Sequence, residues 1–319
     1  MDKQWVLNCV EFIKKIEKNN YSWILSDEAT NDNSAKLSCV SLFCKLAKIF
    51  ENYHKFDMTK IHKIIKSYKT KENYYIDNRK KFETIIAETR QACSGLLNTN
   101  GKFDKVKLKK YYANKDKLYF MSDKNWNNPY STGAQLSHYL FFLHYNNDTE
   151  RIKDILKKLK KYQHKDGWYN NKPKDETKRI NGIMKIFSGL DAINFDYITI
   201  KELVQTIIDS IIDLNPSAGG CNVYDYVYVL CKAITINYNV EKSREKLLEV
   251  YKLILTYQKK DGGFSYKPNQ TQNKIYKTRI PQSKGPDKGG IHGTTLMCMA
   301  LWMIDHACNL NLNLQSVKT

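Results

Sequence analysis

The residues best suited to chemistry lie in the C-terminal half of the chain. Asp225 sits in the run Asn222-Val223-Tyr224-Asp225-Tyr226-Val227-Tyr228-Val229. A carboxyl in such apolar company needs a partner or a raised pKa, and a raised pKa suits proton transfer. His292 opens a second apolar run, and an imidazole can act as general acid or base near neutral pH. With the neighbouring Tyr224 these are the candidate catalytic residues. A basic stretch before His292 carries Lys277, Arg279, Lys284 and Lys288, whose charges suit a phosphate, diphosphate or carboxylate. Asn181 and Lys185 place polar groups at the start of a third apolar run. Against these stand plainer roles: a structural hydrogen bond for Asp225, a helix cap for His292, and a solvated surface for the lysines.

Several function classes lack their signatures. There is no Walker A motif, dinucleotide-binding fingerprint, G-x-S-x-G, H-E-x-x-H or EF-hand pattern. The net charge of +19 points to an anionic partner, with a Lys-rich solvated surface as the alternative. Pairs such as Lys109-Lys110-Tyr111-Tyr112 are too diffuse to indicate nucleic acid, which is not expected as a partner. The eight cysteines include no C-x-x-C pair and fall mostly in apolar runs, so they read as small reduced hydrophobes in a cytoplasmic protein. No apolar run is long enough to span a membrane.

Helices must position these residues, because Gly and Pro are scarce, at 14 and 6. Ile200, Leu203, Val204, Ile207, Ile208, Ile211 and Ile212 form one apolar stripe on a polar helix. Stretches 151–162 and 243–257 repeat that pattern. Segments Ser131–Tyr145, Gly182–Ile193, Asn222–Ile234 and Thr294–Ile304 are apolar nearly all round, as helices covered on every side are. In the N-terminal half, 3–18, 58–68 and a segment near 103–112 read as one-sided helices, and 36–50 and 82–97 as buried ones. About six pairs of outer and inner helices describe an all-α fold, an (α/α)6-type toroid forming a single domain over 1–319. Residues 19–35 read as a loop, and the basic stretch at about 265–290 as a mobile loop. In such a toroid the cavity opens where inner helices begin.

Two loops share a phrase, Gln163-His164-Lys165-Asp166-Gly167-Trp168 and Gln258-Lys259-Lys260-Asp261-Gly262-Gly263-Phe264. Their separation is about twice a helix-pair repeat. The second loop, continuing Ser265-Tyr266-Lys267-Pro268-Asn269, resembles the Q-x-x-D-G-G-F phrase of protein prenyltransferase β subunits. The first resembles the Q-W repeat of squalene and oxidosqualene cyclases. The resemblance covers about 125–305 and implies an α/α toroid. It also implies an enzyme, transferase or cyclase, holding an isoprenoid or other diphosphate-bearing substrate in its cavity.

The cyclases' D-x-D-D acid is missing. The prenyltransferases bind zinc through Asp, the Cys of D-x-C, and His. Cys221 and His292 match two of those ligands, while the Asp position falls on Gly219, which cannot coordinate; Asp225 is the nearest substitute. Zinc is therefore the one cofactor the resemblance suggests. Two other readings stand beside this one: a carbohydrate-active toroid acting on an anionic glycan, and a non-catalytic toroid binding a protein partner.

Overall fold

The computed structural model describes residues 3–18, 36–77, 82–108, 118–268, 270 and 288–318. These residues are mostly helical, with helices packing on helices and one sheet of two short strands. The helices are α1 (Gln4–Lys18), α2 (Lys36–Ile49), α3 (Met58–Ser67), α4 (Phe82–Asn98), α5 (Pro129–Tyr145) and α6 (Thr149–Leu159). They continue with α7 (Glu176–Ala192), α8 (Lys201–Asp209), α9 (Gly220–Thr235), α10 (Val240–Leu255) and α11 (Ile291–Cys308).

The two expected helix types are present. α6 buries only Ile155 and Leu159, whereas α11 buries Met297, Cys298, Met299, Ala300, Leu301 and Ile304 among others. Each fully buried Leu or Met contributes about 1.5–3 kcal/mol. α7 begins at Glu176, six residues before the expected Gly182. Asp175 caps it, accepting from the Thr177 amide at 3.0 Å, so polar residues extend the helix that the apolar pattern alone would have started later. Residues 103–108 form no helix; the rest of the segment expected near 103–112, and the loop expected at 19–35, lie outside the described residues.

Five helices end in one way. After α4, α5, α7, α9 and α11 comes an asparagine in the left-handed region: Asn100, Asn147, Asn194, Asn237 and Asn309, with φ between 52° and 61°. The following amide bonds back to a carbonyl five residues earlier, as in Asp148 to Leu143 (2.9 Å), Phe195 to Leu190 (3.0 Å) and Tyr238 to Ala233 (2.8 Å). Asparagine bears that backbone better than other non-glycine residues, because its short amide bonds locally. The asparagines at 100, 147, 194 and 237 follow the period of one helix pair.

The opposite connections carry the hairpins. Gln163 and His164 (β1) pair with Gly167 and Trp168 (β2), placing Gln163 opposite Trp168. Gln258 bridges Phe264 in the same manner. A third hairpin at 69–75 pairs Lys69 with Tyr75. Its bonds repeat those of the loop at 258: Thr70 amide to Tyr74 carbonyl beside Lys259 to Gly263, and Asn73 to Thr70 beside Gly262 to Lys259. In all three the carbonyl of a tyrosine, Tyr68, Tyr162 or Tyr257, accepts from the residue after the aromatic. The phrase at 69–75 (Lys-Thr-Lys-Glu-Asn-Tyr-Tyr) is hidden in the sequence because Lys, Glu and Asn replace Gln, Asp and Gly.

The chain falls into two compact units. The first comprises Met1–Phe103, Asn215–Tyr224 and Arg244–Lys318; the second comprises Asp104–Leu214 and Asp225–Ser243. In the first, α2 packs on both α4 and α11. α1 meets the same neighbourhood: Trp5 Nε1 donates to Tyr251 Oη at 3.0 Å, and the Cys9 and Cys298 sulfurs lie 3.5 Å apart. In the second, α5 packs on α7, where the Ser137 and Ser188 hydroxyls meet at 2.8 Å.

Candidate functional site

In the second unit, the charge of Lys185 acts on Asp225. α9 holds Asp225 at 1% exposure. Burial raises its carboxyl to about 6, against the opposing charge of Lys185. Lys185, on α7, is half-buried, and its ammonium lies 5.6 Å from the centre of the Tyr130 ring at the start of α5. Asn181 stands one turn earlier on α7 and is also half-buried. The arrangement can keep a carboxylic acid neutral in weakly acidic solution. The nearby ammonium would stabilise the carboxylate left when the proton departs.

The other candidates lie in the first unit. Tyr224 is buried, Cys221 and His292 are half-buried, and Lys288 is exposed. His292 opens α11 and stacks on Tyr266, with ring centres 5.9 Å apart and planes 21° apart. The Tyr266 ring also covers Gly219, where an added Cβ would come within 2.7 Å of it. A side chain at 219 would have to displace the Tyr266 ring. Among the described residues no three His, Cys, Asp or Glu side chains come together to hold a metal ion. An enzymatic zinc site takes three protein ligands, more than Cys221 and His292 could supply. Lys277, Arg279 and Lys284, and most of the basic loop expected to be mobile, lie outside the described residues. A cleft of about 250 Å³ lies elsewhere in this unit, near the ends rather than the starts of α2 and α4, lined by Lys48, Glu51, His54, Lys55, Asn98 and Asn100.

Two polar networks in the second unit gather partners that the sequence does not single out. Asp191 accepts from Lys232 Nζ (2.7 Å), Tyr197 Oη (2.8 Å) and Tyr228 Oη. The Lys232 ammonium sits 4.5 Å from the Tyr197 ring centre. Asp166 accepts from Tyr169 and Lys172, and its backbone carbonyl accepts from Arg179, a guanidinium only 2% exposed. Glu176 pairs with the same Arg179, with Nε to Oε1 at 2.8 Å. The signal was local in the second case: Glu176 and Arg179 are i,i+3 neighbours in the first turn of α7.

No protein-family model, curated protein or solved structure matches this chain. Among the described residues no helix is long and apolar enough to cross a membrane.

Proposed function

We propose that this chain is an (α/α)6-type toroid enzyme in which Asp225 donates a proton to an isoprenoid or other diphosphate-bearing substrate. The observation that carries the reading is Asp225 itself, a fully buried carboxyl held protonated up to about pH 6 on an apolar helix. A buried acid of this kind suits general acid catalysis, because its proton is retained until a basic carbon or oxygen is presented. On transfer, the O–H bond of Asp225 breaks, the substrate gains the proton, and the carboxylate remains near Lys185. Lys185 and Asn181 then supply charge and hydrogen bonds to the anionic end of the substrate.

Three features support the toroid. One-sided and buried helices alternate along the chain, the hairpins recur at 69, 163 and 258, and the first helix pair packs on the last within the first unit. A test would follow farnesyl diphosphate binding and turnover by calorimetry and product analysis. Asp225→Asn should bind the substrate and lose turnover at least about 100-fold, the scale of one general acid. Absence of binding, or full turnover by the variant, would sink the reading.

A further inference from the structure

Cys9 and Cys298 meet sulfur to sulfur in the first unit, 3.5 Å apart although 289 residues separate them in sequence. Neither is exposed: Cys9 lies on the buried face of α1 with Phe12 and Ile13, and Cys298 follows Met297 on the covered α11. Packing asks only for two small apolar groups there. Two thiols in contact add something that alanine would not, since they can become one bond. A disulfide holds its sulfurs about 2.05 Å apart, so these need to close by roughly 1.5 Å. α1 is the element such a bond would fix. A side chain at Gly262 would meet the Asn8 carbonyl oxygen at 2.1 Å, and one at Gly263 would meet the Phe12 ring at 2.5 Å, so α1 lies directly on the turn at 258–264. Trp5 ties it further: its carbonyl accepts from Gln258 at 2.9 Å, and its indole donates to Tyr251 at 3.0 Å. These contacts are all reversible, so α1 can open locally.

We propose that Cys9 and Cys298 are a redox site, a latent disulfide that a small peroxide closes to pin α1 onto α11. Full burial keeps both sulfurs from solvent while α1 is seated. Burial, and then the bond to Cys9, push the Cys298 thiol above its ordinary value, so it stays protonated and reduced. Local opening of α1 exposes Cys9. Its thiolate attacks one oxygen of the peroxide; the O–O bond breaks, hydroxide leaves, and Cys9 becomes a sulfenic acid. When α1 returns, Cys298 attacks that sulfur, the S–O bond breaks, and water leaves as the S–S bond forms. The proton shed by Cys9 joins the hydroxide. For hydrogen peroxide the sum is two thiols and one peroxide giving one disulfide and two waters. A bond between residues so far apart closes a long loop, where a disulfide restrains the open chain most.

The experiment treats the full chain in native buffer with hydrogen peroxide, caps the remaining thiols in denaturant, and maps linked peptides by mass spectrometry. A peptide pair joining Cys9 to Cys298 is expected. Trypsin cleavage after the exposed Lys15 and Lys18 of α1 should slow at least about tenfold in the oxidised protein, and dithiothreitol should restore the rate. Cys9→Ala and Cys298→Ala should each form no such link and show no slowing on oxidation; either one serves if the other fails to fold. Peroxide that links only other cysteines, carries Cys9 or Cys298 on to sulfinic acid, or leaves both as thiols would overturn the proposal. So would a Cys9–Cys298 link that leaves cleavage of α1 unchanged, because α1 would then not be pinned by it.

Discussion

The loops at 163–168 and 258–264 share a backbone and differ in what their side chains do. Gln258 is half-buried and donates to the Trp5 carbonyl (2.9 Å) and the Gly262 carbonyl (3.0 Å), tying the loop to α1. Gln163, at the equivalent place, is exposed. Asp261 accepts from the backbone amides of Gly263 (3.1 Å) and Gly289 (3.0 Å), joining the loop to the residues before α11. Asp166 instead bonds Tyr169 and Lys172 and lies 3.7 Å from the buried Arg179. One loop is anchored by backbone contacts and the other by charge. The short phrase thus specifies a turn, and each unit uses its polar side chains as the neighbouring helix requires.

The sharpest way to break the comparison is at the turn glycines. At Gly262, with φ of 91°, an added Cβ would meet the Asn8 carbonyl oxygen at 2.1 Å. Gly262→Ala should cost about 3 kcal/mol or more in urea unfolding. At Gly167 the nearest heavy atom would be 3.4 Å away, so Gly167→Ala should cost only the strain of its φ, about 1 kcal/mol. Equal costs would mean that the two turns are held alike.

The aspartates come next. Asp166→Asn should cost about 2–3 kcal/mol because it weakens the pairing of a buried guanidinium. Asp261→Asn keeps an acceptor for the two amides and should cost about 1 kcal/mol.

Acid pH separates Asp166 from Asp225. Burial raises the pKa of Asp166, but Lys172, Tyr169 and Arg179 outweigh it and hold the carboxyl below its usual range. Its contribution is present above the unfolded pKa and is lost as pH falls through the lower folded value. Asp225 has the opposite sign, since its folded value of about 6 exceeds the unfolded one. Its protonated form is the compatible one, so stability declines as pH rises from about 4 through 6. Asp225→Asn should therefore gain on the parent by roughly 2 kcal/mol between pH 4 and pH 8, read from urea midpoints at the two pH values. A flat difference would remove Asp225 as a buried acid. The smallest contrast is in the glutamines: Gln258→Ala should cost about 1–2 kcal/mol, and Gln163→Ala less than about 0.5.

Much of the fold was legible because helix periodicity is a local property. Of the expected stripe, Leu203, Val204, Ile207, Ile208 and Ile211 are buried, whereas Ile200 is half-buried and Ile212, past the end of α8, is exposed; the all-apolar run of α11 is covered on nearly every side. Helix starts set by capping were less legible, as Asp175 shows for α7. The third hairpin was hidden because Asn73 does the backbone work of a glycine.

By itself the sequence determined the helix types, the turn phrase and the polarity around Asp225, since each depends on residues within a turn or two of one another. Only the tertiary structure decided which carboxyl is held below its usual range and which is pushed above it. Asp166 and Asp225 are both buried, but Lys172, Tyr169 and Arg179 hold Asp166 below its usual range, while burial pushes Asp225 up against the charge of Lys185. Desolvation and pairing depend on groups brought from distant parts of the chain, and no local pattern records them.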